Sequence, residues 1–305
     1  MGGILQRTVY KRSLTRTKVI TELKEQITSI RSELAAEPTK YEVEIACKKL
    51  KNNKSAGFDN VPGELIKLGG KEMTDVMYKL CTLIWKTEKI PTDWTKSILI
   101  LLPKKGDLKE CSNYRTISLI CHASKILLRI IQDRLKSIVD VSIGEEQAGF
   151  REGRSTIEQI FCLRLIGEKS IEYNQVIYNC FIDFQKAFDS VPHDVLWEVL
   201  KYYSVPSNII NILKELYSNA ESAALINGEQ TNFFKTTKGC RQGCILSPVL
   251  FLFYLEKIME EALEGFDGGI KIGKEKLNNL RFADDIADVY KTKTKTLIKK
   301  KQLCN

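Results

Sequence analysis

Apolar positions along this chain keep two periods, and each period predicts a different kind of element. Ile20, Leu23, Ile27, Ile30 and Leu34 alternate steps of three and four, which makes one helical stripe. Barely two heptads do not make a coiled coil, so packing on the body of the protein is the better account. Pro38 ends that stripe. Thr39 and Glu42 then form a capping box for a helix carrying Val43, Cys47 and Leu50. A stretch rich in turn formers follows, from Asn52 to Gly63. Ile98–Leu102 reads as a buried strand stopped by Pro103, and Lys104-Lys105-Gly106-Asp107 as a basic turn. Ile126 to Ile138 is helical in pattern. Ser155 and Glu158 make a second capping box, ahead of Ile157, Ile160 and Phe161. Two short helices are predicted around Val195, Leu196 and Val199, and around Ile209, Ile210 and Leu213. Ala223–Ile226, Asn227-Gly228 and Phe233-Phe234 predict a hairpin closed by an Asn-Gly turn. Ser247-Pro248 predicts an N-cap followed by Pro at the first helical position, opening a helix over Val249–Met259. Helices, a strand, more helices and then antiparallel strands give an α+β order with no regular βαβ repeat.

Composition narrows the class. The 305 residues are 43% hydrophobic and 28% charged, enough for a large core in one elongated domain or two sub-domains. A net charge of +9 suits a polyanionic partner. The basic run from Lys291 to Lys301 fits contact with nucleic acid, or equally a solvated helix face. The longest apolar runs, Ile98–Leu102 and Val249–Leu255, are too short to cross a bilayer, so no membrane partner is expected. The start lacks a signal-peptide apolar run. Nine cysteines without CxxC pairing read as reduced thiols and an intracellular setting, cytoplasm or nucleus.

The candidate chemistry is acidic. Asp183 interrupts the apolar stretch Cys180-Phe181-Ile182-Asp183-Phe184, and Asp284-Asp285 interrupts Leu280-Arg281-Phe282-Ala283-Asp284-Asp285-Ile286-Ala287. A carboxylate in such a stretch is costly unless paired. A pair of Mg²⁺ ions is the commonest partner for three clustered carboxylates, because Mg²⁺ takes carboxylate oxygens and leaves positions for water and phosphates. Two ions about 4 Å apart can stabilise both the attacking and the leaving oxygen of a phosphoryl transfer. Taken alone, Asp-Asp on a surface turn is the commoner explanation of such a dipeptide. Phe188, five residues past Asp183, is either a core residue at a helix start or a ring beneath a nucleotide sugar, and spacing alone favours the core. The glycine-bounded loop Gly239-Cys240-Arg241-Gln242-Gly243-Cys244, feeding a helix start, suits close approach to phosphate or base; a structural turn is the plainer account.

In their order these signals resemble the reverse transcriptase of non-LTR retrotransposons, over roughly Thr39 to Ala287. Lys54-Ser55-Ala56-Gly57-Phe58-Asp59 with Val61-Pro62 looks like the first finger motif, and Asn113-Tyr114-Arg115-Thr116-Ile117-Ser118-Leu119 like the second. Gln147-Ala148-Gly149-Phe150-Arg151 with Gly153-Arg154-Ser155-Thr156 resembles a segment characteristic of these elements. Phe181-Ile182-Asp183 through Ala187-Phe188-Asp189 is similar to motif A, Arg241-Gln242-Gly243 through Ser247-Pro248 to motif B, and Phe282-Ala283-Asp284-Asp285 to motif C.

The resemblance implies a right-hand polymerase with fingers over about 38–178 and a palm over about 179–290. The palm sheet would be antiparallel and packed on helices, behind an N-terminal helical segment at 1–37. It implies RNA-directed DNA synthesis with two Mg²⁺, an RNA template, a DNA primer and dNTPs. Asp183 and Asp284 would ligate both metals, with Asp285 a supporting carboxylate. Phe188 would be the gate that selects deoxynucleotides, and Arg115 would hold the triphosphate, helped by Lys104 or Lys105. Gln242 would abut the sugar and the templating base. A groove lined by some of Lys54, Lys104, Lys105, Arg115, Arg151 and Arg154 would bind nucleic acid. Asp288 departs from the pattern: it interrupts an apolar run and reads as a degraded strand or a fourth acid. The family's thumb, later palm motifs and endonuclease are not in the sequence, which suggests a truncated fragment of low activity. Alternatives are an inactive remnant and a nucleic-acid-binding module; a group II intron maturase is disfavoured by the Gln147–Thr156 segment.

Overall fold

The structure is a computed structural model that describes residues 32–265, 268–273 and 275–291. The predicted helical stripe from Ile20 to Ile30 and the basic run beyond Lys291 lie outside the described residues. In chain order the strands are β1 (Lys96–Pro103), β2 (Tyr114–Leu119), β3 (Tyr178–Ile182), β4 (Glu221–Ile226), β5 (Glu229–Gln230), β6 (Phe234–Lys235), β7 (Ile270–Ile272), β8 (Glu275–Leu277), β9 (Asn279–Phe282) and β10 (Asp285–Tyr290). Both capping boxes are present: Thr39 opens the helix Lys40–Lys48 and Ser155 opens Thr156–Glu172.

The chain divides into two compact units, each assembled from separated stretches. One takes the described residues up to Ile138 together with Phe188–Phe251; the other takes Val139–Ala187 and the described residues from Leu252 onward. The motif-based limits at 38, 178 and 290 follow the order of the chain, whereas these units interleave.

The first unit carries a sheet of order β2-β1-β4-β5, with β6 also on β4. β1 and β2 form an antiparallel hairpin, with Leu102 opposite Arg115 and Pro103 opposite Tyr114. β1 also pairs with β4 in parallel, Ile98 beside Ala223, a long-range pairing that the local pattern did not announce. The predicted Asn-Gly turn closes β4 onto β5. Asn227 and Gly228 both have positive φ, 52° and 87°, as the hairpin turn that matches strand twist requires. Helices Gly70–Thr87, His193–Tyr202 and Ser207–Ser218 bury Ile84, Trp85, Leu196, Leu200, Ile209 and Leu213. Ser247 begins the helix Ser247–Leu263, but its hydroxyl donates to the Arg241 carbonyl 2.8 Å away.

One polar side chain knits the start of this unit together. Arg134 donates from Nε to Glu42 at 2.7 Å and from Nη2 to the other Glu42 oxygen at 2.8 Å. It also donates to the carbonyls of Leu34, Ala36 and Glu37, and its guanidinium lies 4.9 Å from the Trp85 ring centre. Burial alone would raise the Glu42 carboxyl. The Arg134 hydrogen bonds and the Thr39 amide outweigh it and hold Glu42 below the ordinary range.

The second unit holds an antiparallel sheet of order β3-β10-β9 and the small β7-β8 hairpin. Helix Thr156–Glu172 packs Cys162 and Ile166 against Ile270, Leu280 and Val289.

Arg134→Ala should therefore destabilise the chain by about 3 kcal/mol, since it strands a partly buried carboxylate and three carbonyls. Glu42 is lowered on folding, so its contribution is complete above the ordinary carboxylate pKa and is lost as pH falls through the lowered value. Chemical denaturation at pH 7 and again near pH 3 should show the gap between wild type and variant narrowing in acid. An unchanged gap would mean that Arg134 acts through its carbonyl contacts alone.

Candidate active site

The acidic residues stand at one end of the three-stranded sheet of the second unit. β10 runs antiparallel to β3 with Ile286 opposite Ile182, and one residue further along that register lie Asp285 and Asp183. On its other side β10 pairs with β9, Asp285 opposite Phe282, so Ala283 and Asp284 form a two-residue turn. Asp183 and Asp285 are exposed and Asp284 is half-buried. Among the described residues none of their three side chains has a hydrogen bond or ion pair. Burial, then Asp284, then Asp183 push the Asp285 carboxyl up from its ordinary value. The partner facing Asp183 across the strands is thus Asp285, while Asp284 occupies the turn itself.

The oxygen-only donor set suits a hard divalent cation. Among the described residues no three His, Cys, Asp or Glu side chains come together as a complete cage. Mg²⁺ characteristically takes one or two carboxylates and completes its shell with water and substrate phosphates, so a facing pair is a fitting half-site.

Asp288 does not degrade its strand. β10 runs unbroken from Asp285 to Tyr290, with Asp288 between Cys180 and Asn279 and 1% exposed. The acid is buried deep in the sheet, away from the acidic tip, and after burial it is the main cause of the raised Tyr290 phenol.

The first unit carries the expected nucleotide-binding residues. Lys104 and Lys105 lie at the tip of the β1–β2 hairpin and Arg115 lies on β2, all exposed. The Lys104 amide donates to the Asn113 carbonyl at 2.7 Å, extending the ladder past Pro103 and Tyr114. That register makes Lys104 and Arg115 diagonal neighbours on one face of the hairpin. Gln242 is half-buried in the 239–247 loop: its carbonyl accepts from Ser118 N–H at 2.7 Å, and its Nε2 donates to Asp189 at 2.6 Å. The same loop is tied to the turn Ala187–Ser190, with Cys240 N–H donating to the Phe188 carbonyl at 2.7 Å. The Phe188 ring stacks on Phe251, centroids 4.3 Å apart.

Two of the basic residues expected to line a groove are occupied otherwise. Arg151, with its side chain 7% exposed, donates to the carbonyls of Ile143, Gly144 and Gln147. Arg154 pairs with Glu145. Sequence reasoning also passed over Asp189, which holds Gln242, and Gln147 and Gly149, which touch the acidic turn. Asp189 lies in the segment similar to motif A, and Gln147 and Gly149 lie in the Gln147–Thr156 segment, so the sequence carries a signal at all three. The described cysteines are unpaired thiols, and burial pushes those of Cys81 and Cys240 up to about 12.

The α+β architecture is that of the fingers and palm of a template-directed polymerase. Telomerase from Candida tropicalis, truncated from its C-terminal domain, superposes with a TM-score of 0.52 at 13% identity, over 76% of this chain and 52% of that one. At that identity the likeness speaks for the fold alone. Residues 102–304 match the family described as reverse transcriptase (RNA-dependent DNA polymerase), and the chain belongs to that family. Similar relatives are the transposon TX1 uncharacterized 149 kDa protein of Xenopus laevis, 30% identical over 72% of this chain and 17% of that protein, and the Pol polyprotein of the R2 retrotransposable element of Popillia japonica, 30% identical over 65% and 28%. The RNA-directed DNA polymerase of the mobile element jockey of Drosophila funebris is 27% identical over 85% and 28%. The chain thus spans between about a sixth and a little over a quarter of the length of these relatives.

Like-charge repulsion at the tip gives a stability prediction. The raised Asp285 carboxyl means that its ionised form is disfavoured on folding, so stability is lost as pH rises through its folded pKa. Asp285→Asn should raise the melting temperature at pH 7 without divalent cations, and the gain should fade below pH 4. A melting temperature that falls would show Asp285 to be held by attraction instead.

Proposed function

We propose that this domain catalyses RNA-templated DNA synthesis, with an RNA template, a DNA primer and deoxynucleoside triphosphates as partners, in an intracellular setting. The observation that carries the reading is the set of unpaired carboxylates at the end of an antiparallel sheet, in a chain of the reverse transcriptase family. Three such acids repel unless cations join them. Asp183 and Asp285 would hold divalent cations, with Asp284 beside them on the turn. Bound Mg²⁺ supplies charge neutralisation for the triphosphate and for the attacking and leaving oxygens.

The protein's own groups do the positioning. Arg115 presents a planar fork that matches phosphate oxygens, and Lys104, its diagonal neighbour, adds a second cation on the same face. Gln242 keeps its amide fixed through Asp189, so that it offers one defined polar edge to the nucleotide. Phe188, braced on Phe251, would exclude a 2′-hydroxyl by bulk. The primer 3′-hydroxyl attacks the α-phosphate in line, the bond to the β-phosphate oxygen breaks and pyrophosphate leaves. Most of the rate comes from alignment and electrostatics.

Incorporation of a single templated dNTP onto a primer annealed to RNA tests this. Extension should be slow, dependent on template, and reduced at least a hundredfold by Asp183→Asn. Phe188→Val should raise ribonucleotide use relative to deoxynucleotide use; an unchanged ratio would return Phe188 to a packing role. No extension, with nucleic-acid binding that weakens steeply as salt rises, would replace the enzyme by a binding module. Neither extension nor binding would leave an inactive remnant.

A further inference from the structure

The turn that carries Asp284 is held in a conformation it would not adopt alone. Ala283, its first central residue, has φ +56°, a position where two-residue hairpin turns ordinarily place glycine. For an alanine that geometry costs about 1–2 kcal/mol and persists only where surroundings over-determine it.

Those surroundings are one side chain and one missing side chain. Gln147 is 1% exposed. Its Oε1 accepts from the Ala283 N–H at 2.8 Å, and its Nε2 donates to the Ala283 carbonyl at 3.1 Å. The carboxamide thus pairs with both polar groups of Ala283, as a neighbouring strand would. The same Oε1 accepts from the Gly149 N–H at 2.8 Å, and two N–H donors on one atom settle which end of the amide is oxygen. A Cβ on Gly149 would lie 2.0 Å from the Ala283 nitrogen and 2.7 Å from its Cα. Neither of those atoms is a side chain that can swing aside, so only glycine lets the segment lie against the turn.

The clamp is itself anchored. Ala148 N–H donates to the Arg281 carbonyl, and Arg281 N–H to the Glu146 carbonyl, both at 2.9 Å, so the segment runs beside β9 with Gln147 bridged in parallel to Arg281. Beneath it the buried Arg281 guanidinium lies 3.0 Å from Glu256 and 3.9 Å from Glu146. Arg151 ties the preceding loop through three of its carbonyls.

We propose that Gln147, backed by Gly149, is a positioning residue for nucleotidyl transfer: it fixes the left-handed Ala283 and so sets how Asp284 and Asp285 face Asp183 for the divalent cations. The proposal rests on the reading of those acids as the metal-binding groups. Gln147 touches neither substrate nor metal; it acts through the turn. Supporting residues of this kind are typically worth ten- to a hundredfold in metal affinity.

The test is Mn²⁺ binding to the whole chain, read by the loss of the free-ion paramagnetic resonance signal, beside a thermal melt of each variant. Gln147→Met keeps the volume and removes both bonds to Ala283. It should remain folded and weaken Mn²⁺ binding by about tenfold or more. A folded Gln147→Met with wild-type affinity, while Asp183→Asn weakens it, would overturn the clamp and leave the acidic site standing. Affinity that Asp183→Asn does not change, or no Mn²⁺ binding by the wild type, would sink the acidic-site reading itself and the clamp with it. If Gln147→Met fails to fold, Gln147→Glu decides in the same way. It still accepts from the two N–H groups but cannot donate to the Ala283 carbonyl, so a folded Gln147→Glu should lose affinity, and one that keeps it would overturn the clamp.

Discussion

Carboxylates that repel one another at the end of a sheet are the constraint from which the rest of this unit follows. Left to itself, an exposed Asp-Asp hairpin tip would splay, and Asp183 across from it would turn away. The structure answers with rigidity below the tip in place of neutralisation at it. β10 is paired on both sides, by β3 and by β9. The 146–149 segment lies along the outer edge of β9, and a buried guanidinium sits between two glutamates under that edge. These contacts hold the strands and the turn, while among the described residues the side chains of the three acids have no hydrogen bond or ion pair with protein.

The other unit meets the opposite problem in a similar way. Lys104, Lys105 and Arg115 form no ion pair among the described residues. Their support is the antiparallel ladder of β1 and β2 and, under β1, the parallel pairing with β4. The 239–247 loop is strapped by main-chain hydrogen bonds to Ser118 and Phe188, and the Gln242 side-chain amide donates to Asp189.

Much of this was legible in the chain. Local signals with a local mechanism read correctly: both capping boxes, the Asn-Gly turn, and the placement of Asp284 and Asp285 at a hairpin tip. The ordered motifs identified the family. What did not read was long-range. Nothing in Ile98–Leu102 says that its second neighbour is Ala223–Leu225, because parallel pairing leaves no mark on local periodicity. Arg151 and Arg154 looked like phosphate ligands because a sequence shows charge but not burial. Asp288 looked like a flaw for the same reason. Gln147 lies within a motif, but its role is hidden there, since its partner lies 136 residues away and is a peptide group, which no side-chain pattern can announce.

The interleaving of the two units has a consequence for the birth of the protein. β3 ends at Ile182, and its strand partner among the described residues, β10, begins at Asp285. A ribosome adding about 5–20 residues per second needs on the order of ten seconds to make the intervening chain. During that interval β3 offers both edges, along with the exposed ring of Phe181, to any other unpaired strand. The intervening chain is itself largely the second half of the other unit, which can complete its own sheet first. Nascent chains spaced closely along one messenger are therefore most at risk of pairing with each other at β3, and a slower or more crowded translation would show it as aggregate formed before release rather than after.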